Sequence, residues 1–140
     1  IEIALSTITN CMEGYYKCIH KTTLKKIIID KKENSKKVNK EFKEIMTEYL
    51  NTNEGKMIFS SQDRQSLKIY TKLTNHRNYF AHLNEKKKRF YGDSNLYMLL
   101  KIKLLFRVFM LKDINQTIEI DNLQKCIKNI EENINWKKGV

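Results

Sequence analysis

The chain has 140 residues, enough to bury one hydrophobic core but not two. Apolar residues make up 41% and charged residues 31%, a globular balance rather than a disordered one. The absence of proline favours uninterrupted helices over a turn-rich β fold, and the net charge of +11 points to a polyanionic partner, nucleic acid or an acidic membrane surface. The same surplus also arises from the Lys-, Ile- and Asn-rich usage of AT-rich genomes, so charge alone does not choose a partner.

Apolar residues at three- and four-residue steps predict about five helices. The first covers 3–19, with Leu5, Ile8, Met12, Tyr15 and Ile19 on one stripe. Gly14 interrupts it at a cost of about 1 kcal/mol relative to alanine, consistent with a close backbone approach or with a neutral loss. Cys11 and Cys18, seven apart on one helical face, are expected to be packing residues. With Cys126 they make an odd, widely spaced set, neither a disulfide framework nor a zinc knuckle, as suits a reducing cytoplasm.

Residues 21–37 are ambiguous between helix and a short extended piece. A second clear helix carries Val38, Phe42, Ile45, Tyr49 and Leu50, and 51–55 reads as a break. A third helix, capped by Ser60 or Ser61, runs through Leu67, Ile69, Leu73, His76 and Phe80. A loop over 85–92 leads to a very apolar helix at 96–111, capped by Asp93 or Ser94 and expected at the centre of the core. Lys101, Lys103 and Arg107 interrupt that stretch, which makes it too charged and too short to span a bilayer. The last helix covers about 121–136, with Leu123, Ile127, Ile130 and Ile134 on one stripe. Short connections favour antiparallel neighbours, hence an all-α, up-and-down helical bundle in a single domain over 1–140. The chain starts at Ile1 without a signal peptide, as expected of a domain excised from a longer protein.

The chemistry concentrates in Arg77-Asn78-Tyr79-Phe80-Ala81-His82. A shuffled chain of this composition would contain Arg-Asn-x-x-x-His about 1% of the time. Arginine is a permanent cation that clamps phosphate through two hydrogen bonds, and histidine moves protons near neutral pH. On a helix, Asn78 and His82 project side by side, with Arg77 flanking them. The bland alternative is a solvated arginine beside a histidine bonded within the bundle. His76 is expected to pack or contact substrate. Glu13 could pair with Arg77 and fix its orientation. Lys86, Lys87, Lys88 and Arg89 either funnel a polyanion to the site or form a solvated loop, and Tyr79 either stacks a base or packs.

This motif resembles the signature of the HEPN superfamily: Arg, a spacer of four to six residues, then His, often with a polar residue after the Arg. Leu73-Thr74-Asn75-His76 before it, Leu83-Asn84 after it and the Gly92 loop into helix 96–111 extend the resemblance, as does Glu13-Gly14-Tyr15-Tyr16 in the first helix. The layout is most similar to the HEPN domain of ApeA-like abortive-infection proteins of bacteria. The resemblance implies a homodimeric helical bundle acting as a cytoplasmic, metal-independent endoribonuclease in antiphage defence, with RNA as partner. No cofactor, metal or membrane is implied. Two motifs would face each other across the dimer axis, with His82 transferring protons and Arg77 holding the scissile phosphate. Asn78 would orient His82 or bond the phosphate. A sensing domain would lie outside this chain. Some HEPN toxins carry a tyrosine two residues after the histidine, which a partner enzyme modifies; Asn84 stands there here, which argues against silencing of that kind. A non-catalytic HEPN module for dimerisation or RNA binding stays open beside the enzyme, as does an unrelated basic helical module.

Overall fold

The computed structural model describes residues 2–20, 37–67, 69–82 and 93–134. Among them lie seven helices and no strand: α1 (Glu2–Ile19), α2 (Lys37–Asn51), α3 (Asn53–Ile58), α4 (Ser61–Leu67), α5 (Ile69–His82), α6 (Asp93–Asp113) and α7 (Ile120–Asn133). The all-α bundle expected from periodicity is therefore present, with two short helices added to the five. Residues 21–36, the ambiguous second stretch, lie outside the described residues.

Both additions come from local chemistry that periodicity does not register. The break expected over 51–55 shrinks to Thr52, whose hydroxyl accepts from the Gly55 amide at 3.0 Å and donates to the Tyr49 carbonyl at 3.0 Å. Thr52 thus caps α3 while holding the end of α2. A Cβ at Gly55 would stand 2.3 Å from the Tyr49 carbonyl oxygen, so only glycine lets the chain turn this tightly. The third predicted helix is two helices, α4 and α5. Ser60 and Asp63 form a reciprocal capping box at the start of α4, each side chain accepting the other's amide at 3.2 and 3.3 Å. Asp93 and Ser94, expected as caps, instead belong to the first turn of α6, and Ser94 is buried.

The core centres on α1, which packs against α2, α5 and α6, while α7 packs against α6. Phe42, Ile45, Met46, Tyr49 and Leu50 of α2 meet Leu5, Met12 and Tyr16 of α1 and Met98, Ile102 and Leu105 of α6 in one cluster. Edge-to-face ring pairs stitch it: Tyr16 with Tyr49, Tyr49 with Phe109, and Tyr15 with Phe106.

The buried face of α1 is rotated from the predicted stripe. It runs through Leu5, Thr9, Met12, Glu13 and Tyr16, leaving Ile8 and Tyr15 at the edge and Ile19 56% exposed. Thr9 is tolerated inside because its hydroxyl bonds the Ser6 carbonyl at 2.8 Å. Cys11 and Cys18 do not pack; both are exposed, as is Cys126. Nor does Gly14 mark a close approach, since nothing lies within 4 Å of a Cβ built there.

Lys101, one of the charges that interrupt the apolar run in the sequence, is fully buried. Its ammonium donates to the Ile58 carbonyl at 2.5 Å and the Glu131 carboxylate at 2.7 Å, and lies 3.7 Å from Asp63. The Tyr97 hydroxyl donates to Asp63 at 3.1 Å. This cluster ties α3, α4, α6 and α7 together. A buried cation is tolerable only when paired and hydrogen-bonded in this way.

Candidate active site

Arg77 lies in α5 against α1 and α2. Its Nε and Nη2 donate to the two oxygens of Glu13 at 2.7 and 3.1 Å, the two-pronged geometry that guanidinium and carboxylate share. Its Nη1 donates to the Asn78 Oδ1 at 3.0 Å. The guanidinium carbon stands 5.3 Å from the centre of the Phe42 ring, a cation–π distance. The arginine is held from three sides.

Burial sharpens these contacts. The side chains of Glu13 and Arg77 are 7% and 17% exposed, so water screens their attraction weakly. Lys17, one turn along α1, donates to the same Glu13 carboxylate at 2.7 Å. The trio of Glu13, Lys17 and Arg77 keeps one net positive charge. Among the described residues, the contacts of Arg77 use three of the five guanidinium N–H donors, leaving two for an anion.

His82 is the last residue of α5, so helical register places positions 78 and 82 on one face, one turn apart. The structure thus brings Arg77 and Asn78 into contact and sets His82 on their helix. Tyr79 lies on the same helix, its side chain outside the described ones. Lys86, Lys87, Lys88 and Arg89 lie outside the described residues. His76 is fully buried, which favours packing over substrate contact. The Glu13 pairing, raised in the sequence, is made.

A second polar cluster went unseen in the sequence. At the C-terminal ends of α1 and α6, Asp113 accepts from the Tyr15 hydroxyl at 2.7 Å and lies 3.0 Å from the His20 Nε2. His20 stacks on Tyr16 at 4.9 Å. Burial, then the bond to Asp113, pushes the Tyr15 hydroxyl up to about 12. No local signal announces this site, because 93 residues separate its histidine from its aspartate. Among the described residues no group of three or more His, Cys, Asp or Glu side chains is placed to hold a metal ion, and no helix is long and apolar enough to cross a membrane.

An all-α helical bundle is the architecture of a HEPN domain. The family model of Apea-like HEPN domains matches residues 6–119, and the chain belongs to that family. No curated protein and no solved structure matches it. The matched stretch ends just before α7 begins at Ile120.

Proposed function

We propose that this domain is a metal-independent endoribonuclease of bacterial antiphage, abortive-infection defence, working in the cytoplasm as a homodimer with RNA as substrate. The observation that carries this reading is the fixed guanidinium of Arg77, held by Glu13 and Asn78 on the helix that ends at His82. An anion arriving there meets a cation whose orientation is already set, the condition under which electrostatic catalysis costs least reorganisation.

RNA supplies its own nucleophile. In this mechanism an imidazole of one His82 takes the 2′-hydroxyl proton as the 2′-oxygen attacks phosphorus. The 5′-oxygen leaves with a proton from the imidazolium of the other copy's His82. Arg77 neutralises the charge that builds on the phosphoryl oxygens, and Asn78 keeps its fork in place. The products are a 2′,3′-cyclic phosphate and a 5′-hydroxyl. Lys86, Lys87, Lys88 and Arg89 raise the local RNA concentration, Tyr79 stacks a base, and a sensing region outside these residues supplies the trigger.

Total cellular RNA digested in EDTA by the wild type and His82→Ala tests this. Cleavage by the wild type alone, leaving 5′-hydroxyl ends, is the expected result; magnesium-dependent cleavage leaving 5′-phosphates refutes it. A second reading, a non-catalytic module for dimerisation or RNA binding, is favoured by the fact that Glu13 already neutralises Arg77. Salt-dependent RNA binding with no cleavage by either protein would establish it.

A further inference from the structure

Lys17, Arg77, Lys101, Lys112 and Lys128 each stand within ion-pair distance of a carboxylate. Lys103 and Arg107 on α6 do not: both are exposed, and among the described residues neither has an acidic partner. Between Asp93 and Asp113, at its two ends, this helix carries no acidic residue. Residues three and four apart on a helix are surface neighbours, so Lys103, Phe106, Arg107 and Met110 form one contiguous patch. Its two cations stand one turn apart, about 6 Å along the axis. Phe106 is half-buried, and Tyr15 braces its ring edge to face at 5.4 Å. Met110 beside it is 39% exposed.

We infer that this patch binds a single strand of RNA at a distance from Arg77, with phosphates on Lys103 and Arg107 and an unpaired base on Phe106. Cations without acidic partners, set beside an aromatic ring, match both parts of a single strand. The charges track its phosphates, and the ring takes the face of a base. A duplex offers phosphates but keeps its bases stacked inside, which would leave the ring unused. An acidic membrane also seeks cations beside apolar groups. Insertion, however, needs apolar side chains that protrude, and here the ring is braced against the bundle and only Met110 stands out.

The position sets the length of strand required. Glu13, which holds Arg77, and Tyr15, which touches Phe106, are two residues apart on α1, about 200° around the helix. Arg77 and Phe106 therefore lie nearly level on opposite flanks of α1. At the usual spacing of about 8–10 Å between helix axes they are roughly 16–20 Å apart, on the order of five nucleotides at the ~3.4 Å rise of a stacked strand. A strand that reaches both must pass over α1. The inference rests on the RNA reading above, and it adds a second contact and a minimum length of substrate.

Fluorescence anisotropy with a 2′-O-methyl RNA of about 12 nucleotides tests it, with helical circular dichroism as the folding control. The proteins are the wild type, Lys103→Gln/Arg107→Gln, Phe106→Leu, and Lys125→Gln/Lys128→Gln, which removes the same charge from α7. The α6 double variant should bind at least about tenfold more weakly at low salt. Its slope of log affinity against log salt should shrink by about 1.4, or 0.7 for each of two phosphates. Phe106→Leu should weaken binding about fivefold or more with the slope unchanged, and the α7 double variant should stay within about twofold of the wild type. No binding by the wild type, equal losses in the two double variants, an unaffected Phe106→Leu protein, or equally tight binding of a duplex overturns the inference. Sedimentation with phosphatidylserine vesicles that only the α6 double variant loses, its RNA affinity unchanged, also overturns it and makes the patch a membrane contact. The probe lacks the 2′-hydroxyl nucleophile, so its binding does not depend on cleavage. Patch-dependent binding by a protein that cleaves no RNA removes the ribonuclease and leaves the patch standing. His82-dependent cleavage with RNA affinity indifferent to the α6 substitutions removes the patch and leaves the ribonuclease.

Discussion

Replacing Glu13 with glutamine tests the clamp while nearly preserving its shape. The carboxylate accepts three hydrogen bonds, two from Arg77 at 2.7 and 3.1 Å and one from Lys17 at 2.7 Å. An amide keeps one acceptor and turns the other oxygen into a donor aimed at donors. Breaking a fully buried ion pair costs 3–5 kcal/mol, but Arg77 is 17% exposed and Lys17 39%, so water recovers part of the loss. About 2 kcal/mol remains, which for a chain of this size lowers Tm by roughly 6–8 °C. Activity should fall further than stability. A guanidinium loosened by about 1 Å loses roughly a hundredfold in rate, and the loss should appear in kcat, because removing a negative charge near the phosphate does not weaken binding. Thermal denaturation and single-turnover cleavage of a short RNA measure the two effects separately. Unchanged Tm together with unchanged or faster cleavage would refute the positioning role of Glu13.

Three further outcomes follow from the packing. Lys101→Met should cost about 3 kcal/mol in urea denaturation, since it removes the cation beside buried Asp63 and the donor to the Ile58 carbonyl, whereas Glu131→Gln, at a partner 45% exposed, should cost under about 1 kcal/mol. The two glycines should respond with opposite signs: Gly14→Ala adds up to about 1 kcal/mol of stability in open space, and Gly55→Ala destabilises because its Cβ meets the Tyr49 carbonyl. Burial raises Tyr15 and Tyr16 from the ordinary 10.0 to about 12. Tyr49 and Tyr97 are raised further for the same reason. Above pH 10 the unfolded chain releases protons that the folded chain keeps, so the stability these hydroxyls contribute is complete below pH 10 and lost as pH rises towards 12. Tyrosinate absorbance should then lag the free-tyrosine curve and rise together with the loss of helical signal; titration of all tyrosines near pH 10 in the folded protein would contradict it.

Helix positions were legible because periodicity is local. The spans of α1, α2, α6 and α7 follow from apolar residues three and four apart, and the Arg77 turn from six consecutive residues. The corner at Thr52 and Gly55 reads as a longer break than it is, since the same residues that break helices also cap them. On α1 the inner stripe is rotated from the one the spacing suggests, keeping Leu5 and Met12 but burying Thr9, Glu13 and Tyr16 in place of Ile19. Polarity does not distinguish inside from outside on this helix, because the carboxylate of Glu13 is buried while Cys11 and Cys18 are exposed.

An all-helical, strongly basic domain with an arginine five residues before a histidine on one helix was determined by the sequence alone. Each of those properties belongs to neighbouring residues or to a sum over all of them. Tertiary structure decided which carboxylate holds Arg77, that Lys101 lies inside the bundle, and which face of α1 meets solvent. Those outcomes depend on pairs 64 and 30 residues apart in the chain. Burial, by removing water, turns such pairs from weak surface attractions into fixed geometry.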